Sequence, residues 1–114
     1  MREIQFYQTR SGICPVREFL DGLDSKQAKK VTWVLQLVRE LPRPPEKFFK
    51  KLSGTEIWEV RVGLESKALR ILGFMDGGRL IILTGGFSKK TRRTPKRELE
   101  RAMKRRREYF SRKR

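Results

Sequence analysis

Apolar and polar residues alternate along the middle of the chain in the way that half-buried β-strands require. Within residues 57–62 an apolar side chain recurs at every second position, and residues 68–75 are mostly apolar with one charge, Arg70. The sequence Asp-Gly-Gly at positions 76–78 suits a tight hairpin turn. Residues 80–83 are apolar on both faces, as in a strand buried in mid-sheet. This pattern predicts three consecutive strands joined by short links.

The segment before these strands has the periodicity of two helices. Pro15 suits the first turn of a helix, and apolar residues follow it at helical spacing until Gly22 ends the helix. Asp24, with Gln27 three residues later, matches a capping box. A second helix is therefore predicted to begin at about Ser25 and to stop at a proline-rich, basic connector.

The two ends of the chain complete the predicted fold. Residues 3–9 alternate like a short first strand, and Thr94 followed by Pro95 is typical of a cap residue and the first residue of a final helix. The order β-α-α-β-β-β-α predicts an α+β fold with a small antiparallel meander sheet, packed by an N-terminal helical hairpin and a basic C-terminal helix. We expect a single domain over residues 1–114.

The charge is strongly positive and concentrated near one end. The 114 residues contain 29 Lys+Arg against 13 Asp+Glu, a net charge of +16, and residues 89–114 hold 14 Lys and Arg against three Glu, a net +11. Such an excess indicates a polyanionic partner, nucleic acid first and an anionic membrane second. Because no apolar run approaches the roughly 18 residues of a membrane span and no signal-peptide core is present, we expect a cytoplasmic protein with no membrane partner.

The composition also argues against several kinds of catalytic and metal site. Histidine is absent and Cys14 is the single cysteine, which argues against disulfides, zinc thiolate clusters and histidine-based catalytic triads. We therefore expect no metal and no cofactor. The glycine pairs at 77–78 and 85–86 match no phosphate-binding loop and are interpreted as turn and close-packing glycines.

The charges carried by the predicted strands form a candidate site. Glu59 and Arg61 are two residues apart and therefore share one face of a strand. Arg70 lies inside an apolar strand, where a charge costs free energy unless it is paired or meets an anion. Two alternatives follow: Arg70 binds phosphate, or it forms a structural salt bridge with Glu59 or Glu65. The candidate set is Glu59, Arg61, Arg70, Lys89 and Lys90, of which the two lysines follow the last predicted strand.

Taken together, these motifs resemble the RelE/HigB family of toxins from type II toxin–antitoxin systems, and most of all its phage-derived HigB-like branch. The resemblance rests on residues 51–62, 69–71, 87–91 and 94–95, with the early segment 11–20 and the basic final helix. It implies a compact, metal-independent endoribonuclease of the RelE-like fold that cleaves mRNA in the ribosomal A site and so blocks translation. It also implies a cognate antitoxin as partner, a small helix-turn-helix DNA-binding protein encoded next to it.

The resemblance also implies roles for the candidate residues. Arg61 matches a basic residue on the first meander strand, and Arg70 matches the arginine that braces the scissile phosphate. Lys89 and Lys90 match the basic pair from which the leaving-group acid is drawn. Glu59 stands where the RelE type has lysine, so either Glu59 is the general base or the base is missing.

Further residues are assigned to binding. The stacking tyrosine of the family has three candidate counterparts, Phe87, Tyr109 and Phe110. Arg106 falls on the apolar seam of the final helix and is interpreted as structural. The RNA-binding candidates are Lys50, Lys51, Arg93, Arg101, Lys104, Arg105 and Arg107.

Two other functions fit parts of the sequence. A ParE-like toxin would act on DNA gyrase through protein contacts. Arg61 and Arg70 argue against this function, because a surface that binds gyrase does not need phosphate-binding arginines. A non-catalytic RNA- or ribosome-binding protein would need only the basic C-terminal region.

Overall fold

The computed structural model describes residues 1–90 and 92–113 and contains five strands and three helices, which confirms the predicted α+β class. The elements in chain order are β1 (Glu3–Phe6), α1 (Pro15–Asp21), α2 (Ser25–Glu40), β2 (Phe49–Lys51), β3 (Ile57–Leu64), β4 (Lys67–Asp76), β5 (Leu80–Lys89) and α3 (Lys96–Arg112). Thr91, which is part of one segment on which the resemblance rests, lies outside the described residues. No helix of residues 1–90 and 92–113 is both long and apolar enough to cross a membrane.

The five strands form one mixed sheet in the order β1-β5-β4-β3-β2. Strands β2 to β5 are antiparallel neighbours, which confirms the predicted meander. Strand β1 pairs with β5 in parallel, with Glu3 opposite Leu80, and this makes the sheet mixed. Strand β2 was not predicted, because its three residues lie in the connector and show no alternation.

Helices cover both faces of the sheet. Val16 of α1 and Val31 of α2 are fully buried in one apolar cluster with Val60 of β3, so the N-terminal helices share one face. On the opposite face, Ala102 of α3 packs in a second cluster with Phe74 of β4. Among the helices of the described residues, α3 is therefore the one on this side of the sheet.

The helix boundaries follow local signals. Helix α1 begins at Pro15, and the predicted capping box of α2 is present: Gln27 donates its backbone N–H to Asp24 Oδ1 at 2.8 Å, and Asp24 donates its own to Gln27 Oε1 at 3.1 Å. The prediction for α3 was wrong in one respect. The helix begins at Lys96 with Pro95 as the N-cap residue, and the Thr94 side chain makes no cap hydrogen bond.

Strand β5 continues through the glycine pair at 85–86 and ends at Lys89. The prediction that Lys89 follows the last strand was therefore wrong, and only Lys90 does. The close-packing interpretation of the glycines is confirmed, because a Cβ added to Gly86 would overlap the ring of Phe19 and one added to Gly85 would lie 2.8 Å from Nη1 of Arg105. The strand needs glycine there to let these side chains approach.

Candidate functional site

The strand register places the candidate charges on the face of the sheet that α3 covers in part. Side chains two apart on a strand share a face, so Glu59 and Arg61 lie on the same side as Ile57, which packs in the α3 cluster. Arg61 is directly opposite Arg70 on β4. Phe87 on β5 is the next residue across from Arg70. The structure thus brings the strand charges into one cluster, as the sequence pattern predicted.

Glu59 is the centre of this cluster and is 0% exposed. Its Oε1 accepts a hydrogen bond of 2.9 Å from Nε of Arg61 and lies 3.5 Å from Nε of Arg70. Its Oε2 accepts a hydrogen bond of 2.6 Å from the hydroxyl of Thr94. A buried carboxylate is tolerated when it is paired and hydrogen-bonded in this way. Both oxygens are occupied, so Glu59 holds the two guanidinium groups side by side.

The guanidinium of Arg70 has an N–H donor that makes no hydrogen bond within the described residues. Its side chain is 14% exposed, and Nη1 donates to the carbonyl of Leu69 at 2.9 Å. Its Nε is buried and has no hydrogen-bond partner within the part of the chain that the structure describes. Burial lowers the pKa of Arg70, Glu59 opposes that shift, and Arg61 adds to it. An arginine nevertheless stays charged. Arg70 therefore presents a partly unsatisfied guanidinium near the positive charges of Arg61 and Lys89, an arrangement that favours binding of an anion.

Of the two alternatives drawn for Arg70 from the sequence, the ion pair is present in the structure, and phosphate binding stays a prediction. Of the two glutamates considered as partners, Glu59 is the one that lies beside it. Glu65 instead forms an exposed ion pair with Lys26 at 3.8 Å. The ion pair with Glu59 therefore leaves the remaining donors of Arg70 available to a ligand.

Lys89 adjoins the same charges at the end of β5. It is half-buried, and burial lowers its pKa below the ordinary value of 10.5, while the charge of Glu59 opposes part of that shift. The positive charges of Arg70 and Arg61 lower the pKa of Lys89 further. Such a lysine releases a proton more readily than a solvated one, which suits a general acid. Lys90 follows the strand and is exposed.

The aromatic candidates separate into two places. Phe87 is half-buried next to Arg70. Tyr109 donates its hydroxyl to Asp76 Oδ2 at 2.7 Å, and burial together with that bond raises the pKa of Tyr109 to about 12. Asp76 is six residues from Arg70 along β4, which corresponds to roughly 20 Å, and Tyr109 therefore packs toward the other end of that strand. Phe110, which packs at 5.2 Å from Tyr109, belongs to the same distant end.

The basic residues of α3 also divide. Arg101, Lys104 and Arg107 are exposed. Arg105 instead donates from Nη1 to the carbonyl of Thr84 at 2.9 Å and is half-buried, so its guanidinium faces the protein. The structural interpretation of Arg106 agrees with its position, because its guanidinium lies 5.1 Å over the ring of Phe110.

The remaining binding candidates lie at the edge of the sheet and in the loop before α3. Lys50 pairs with Glu59 in the register of β2 and β3 and so shares the face of the cluster. Lys51, one residue later, forms an ion pair with Glu56 at 3.6 Å. Arg93 is exposed in the loop.

One site residue was missed by sequence reasoning. Thr94 matched the signal of a helix cap, and the local sequence gives no sign that its hydroxyl bonds to Glu59 instead. Within residues 1–90 and 92–113, no three acidic or cysteine side chains converge as a metal site.

Comparison with known proteins gives one family. The family described as "Phage derived protein Gp49-like (DUF891)" matches residues 18–107, which include the whole cluster and most of α3. No curated protein matches the chain.

Proposed function

The chain belongs to the Gp49-like family of phage-derived proteins, a toxin-like family of toxin–antitoxin systems, and on that basis we propose that it is a ribosome-dependent endoribonuclease. Its substrate is mRNA in the ribosomal A site, and its partner is a cognate antitoxin. The observation that carries this proposal is the cluster in which one buried carboxylate, Glu59, holds Arg61 and Arg70 side by side. An arrangement of paired guanidinium groups is suited to a phosphate.

The proposed reaction is an internal transfer at phosphorus. The 2′-hydroxyl oxygen of the RNA bonds to the neighbouring phosphorus and passes its proton to solvent water, while the bond from phosphorus to the 5′-oxygen breaks and that oxygen takes up a proton. Negative charge builds on the phosphate oxygens, where Arg61 and Arg70 stabilise it. Lys89 donates the proton to the leaving oxygen, a role that its lowered pKa supports.

Glu59 has a positioning role in this proposal. Its carboxylate is closed to solvent and both oxygens are engaged, so it is poorly placed to take a proton from a 2′-hydroxyl. No other side chain of the cluster is a base at neutral pH, because the rest are cations. Alignment of the RNA by the ribosome then supplies much of the rate, which is catalysis by positioning.

The exposed cations of α3 contribute binding rather than chemistry. Arg101 and Lys104 are exposed to solvent, and the ion pair of Arg101 with Glu98, at 3.4 Å, is itself partly exposed, so both cations can meet ribosomal RNA phosphates. Each such interaction releases counterions and adds affinity that falls with salt. The antitoxin has to cover the same positive surface, so we expect it to carry an acidic segment.

Primer extension on translated mRNA after induced expression tests this function. We expect growth arrest, new 5′ ends inside translated codons, and recovery when the adjacent gene is co-expressed. Arg70→Ala should remove the cuts, and Arg43→Ala, an exposed arginine in the connector, should leave them unchanged. Arrest without cut mRNA would contradict ribonuclease activity, and normal growth with folded protein would contradict a toxin of either kind.

A further inference from the structure

A separate cleft lies beside α3, between this helix and the turn that joins β2 to β3. Its volume is about 570 Å³. The lining residues are Lys51, Leu52, Ser53, Gly54, Thr55, Glu56, Ile57, Met103, Arg106 and Arg107. None of the proposed reaction steps uses this cleft.

The walls combine apolar surface with positive charge. Met103 is 37% exposed although it is a large apolar residue on a packed helix. Arg107 is exposed, and Nε of Arg106 is buried with no hydrogen-bond partner in the described part of the chain. The one carboxylate in the walls, that of Glu56, is compensated by Lys51 at 3.6 Å. Apolar surface beside an exposed guanidinium group offers a nucleobase a packing surface and its phosphate a cation.

The cleft and the cationic cluster share one face of the sheet. Ile57 lines the cleft and lies on the same face of β3 as Arg61, four residues and therefore about 13 Å away. Lys50, opposite Glu59 in the register, occupies the same face between the two places. A single strand of RNA that reached both places would pass Lys50 and would stay on one face of the sheet.

We propose that this cleft is a nucleotide-binding subsite for the RNA strand that is cleaved at the cluster. The base packs against Met103 and Leu52, and Arg107 binds the adjoining phosphate. This subsite rests on the proposed ribonuclease function, and its substrate class is single-stranded RNA at least several nucleotides long. It would make affinity depend on the length of RNA beyond the cleaved bond.

Binding of labelled 2′-O-methyl oligonucleotides tests the subsite, because they lack the attacking hydroxyl and are not cut. Fluorescence anisotropy would compare a dinucleotide with an octanucleotide on the purified full-length chain. Arg107→Gln should weaken the octanucleotide by roughly tenfold and reduce its salt slope by about 0.7, with little effect on the dinucleotide. Ser53→Glu, which places a carboxylate in the cleft, should weaken the octanucleotide as well.

Matched controls remove or add the same charge on the other side of the sheet. Lys29→Gln and Ser25→Glu change exposed positions of α2 and should alter neither affinity. Three results would overturn the subsite. The first is unchanged octanucleotide binding in both cleft variants, and the second is an equal loss of affinity for the dinucleotide and the octanucleotide. The third is that the unmodified protein binds no RNA. A length-dependent loss in a protein that cuts no translated mRNA would support the subsite while contradicting the ribonuclease proposal, so the two failures are distinguishable.

Discussion

Thr94 donates its hydroxyl proton to Oε2 of Glu59 across 2.6 Å, although the two residues are 35 positions apart. The bond joins the loop that precedes α3 to strand β3. It satisfies the carboxylate oxygen that Arg61 and Arg70 leave unused. The placement of the basic helix and the geometry of the two arginines are therefore coupled through one carboxylate.

Removing that hydroxyl should loosen the cluster. In Thr94→Val a buried oxygen of Glu59 loses its donor, which costs about 1–3 kcal/mol and lowers the melting temperature by several degrees. The displaced arginines should reduce single-turnover cleavage by roughly 10- to 100-fold. Thr94→Ser keeps the hydroxyl donor and should retain most of the stability and most of the cleavage rate. Full cleavage by a destabilised Thr94→Val would show that the bond serves stability alone.

Arg70 should matter for chemistry more than for folding. Glu59 keeps Arg61 and Thr94 as partners when Arg70 is removed, so Arg70→Ala should retain its fold, with a thermal midpoint only modestly lower. Cleavage should fall by at least about 100-fold, a loss on the scale of one charge-stabilising donor. Arg70→Lys should recover little, because a point charge does not replace a bidentate fork. A collapsed midpoint, as expected when a buried pair is broken at about 3–5 kcal/mol, would instead favour a purely structural ion pair.

The cleavage rate should fall at alkaline pH as Lys89 loses its proton. Its pKa lies below 10.5, so the descending limb should lie below that value. Because the folded-state pKa is the lower one, the unfolded chain binds more protons in this window and the free energy of unfolding rises with pH, which separates the lost rate from unfolding. Lys89→Arg should remove the limb at a lower rate, whereas Lys90→Arg should keep it. A limb that disappears in Lys90→Arg instead would assign the acid to Lys90.

Acid should destabilise the end of α3 through Asp76. Hydrogen bonds from Lys113 and from Tyr109, each 2.7 Å, lower the pKa of Asp76. A lowered carboxyl pKa contributes stability that is present above the unfolded value of 3.8 and is lost as the pH falls through the folded-state value. Asp76→Asn should therefore be less stable near neutral pH and should lose less stability below pH 3.8. Urea midpoints across pH would show this, with Asp21→Asn, an exposed carboxyl of α1, as the unchanged control.

Binding and chemistry should separate along the chain. The double variant Arg101→Gln/Lys104→Gln should weaken ribosome co-sedimentation and flatten its salt dependence by roughly 0.7 to 0.9 for each phosphate that is no longer neutralised. Single-turnover cleavage at saturating ribosomes should remain close to normal. Lys29→Gln/Arg43→Gln removes the same amount of charge elsewhere and should change neither the ribosome co-sedimentation nor its salt dependence. Arg105 is kept unchanged because its guanidinium is bound to the backbone of Thr84. A similar loss of binding in Arg70→Ala would mean that helix and sheet form one binding surface.

Much of the fold was predictable because its signals are local. Asp24 and Gln27 are three residues apart, and the capping box that they form needs nothing else from the chain. Strand β2 was missed because three paired residues in a proline-rich connector have no periodicity of their own. The parallel pairing of β1 with β5 could not be predicted from the sequence either, because it depends on which edge of the sheet remains free after the meander forms.

The site was predictable to the same extent. The period of two placed Glu59 and Arg61 on one face, and the apolar surroundings of Arg70 marked it as a charge in need of a partner. Neither signal could show that Glu59 is closed to solvent, nor that Thr94 reaches it, because both result from how α3 packs on the sheet. Tyr109 was a stacking candidate by residue type alone, and its packing toward the Asp76 end of β4 is evident only from its side-chain contacts.

The pairing of the first strand with the last has a consequence for the order of assembly during synthesis. Strand β1 leaves the ribosome first, yet its partner β5 is the last strand to be made, and Thr94 follows later still. Domains complete their folding as units once their long-range contacts become available. A chain still under synthesis therefore has Arg61 and Arg70 but not the finished sheet that aligns them, and the competent cluster appears only after the loop before α3 has been released.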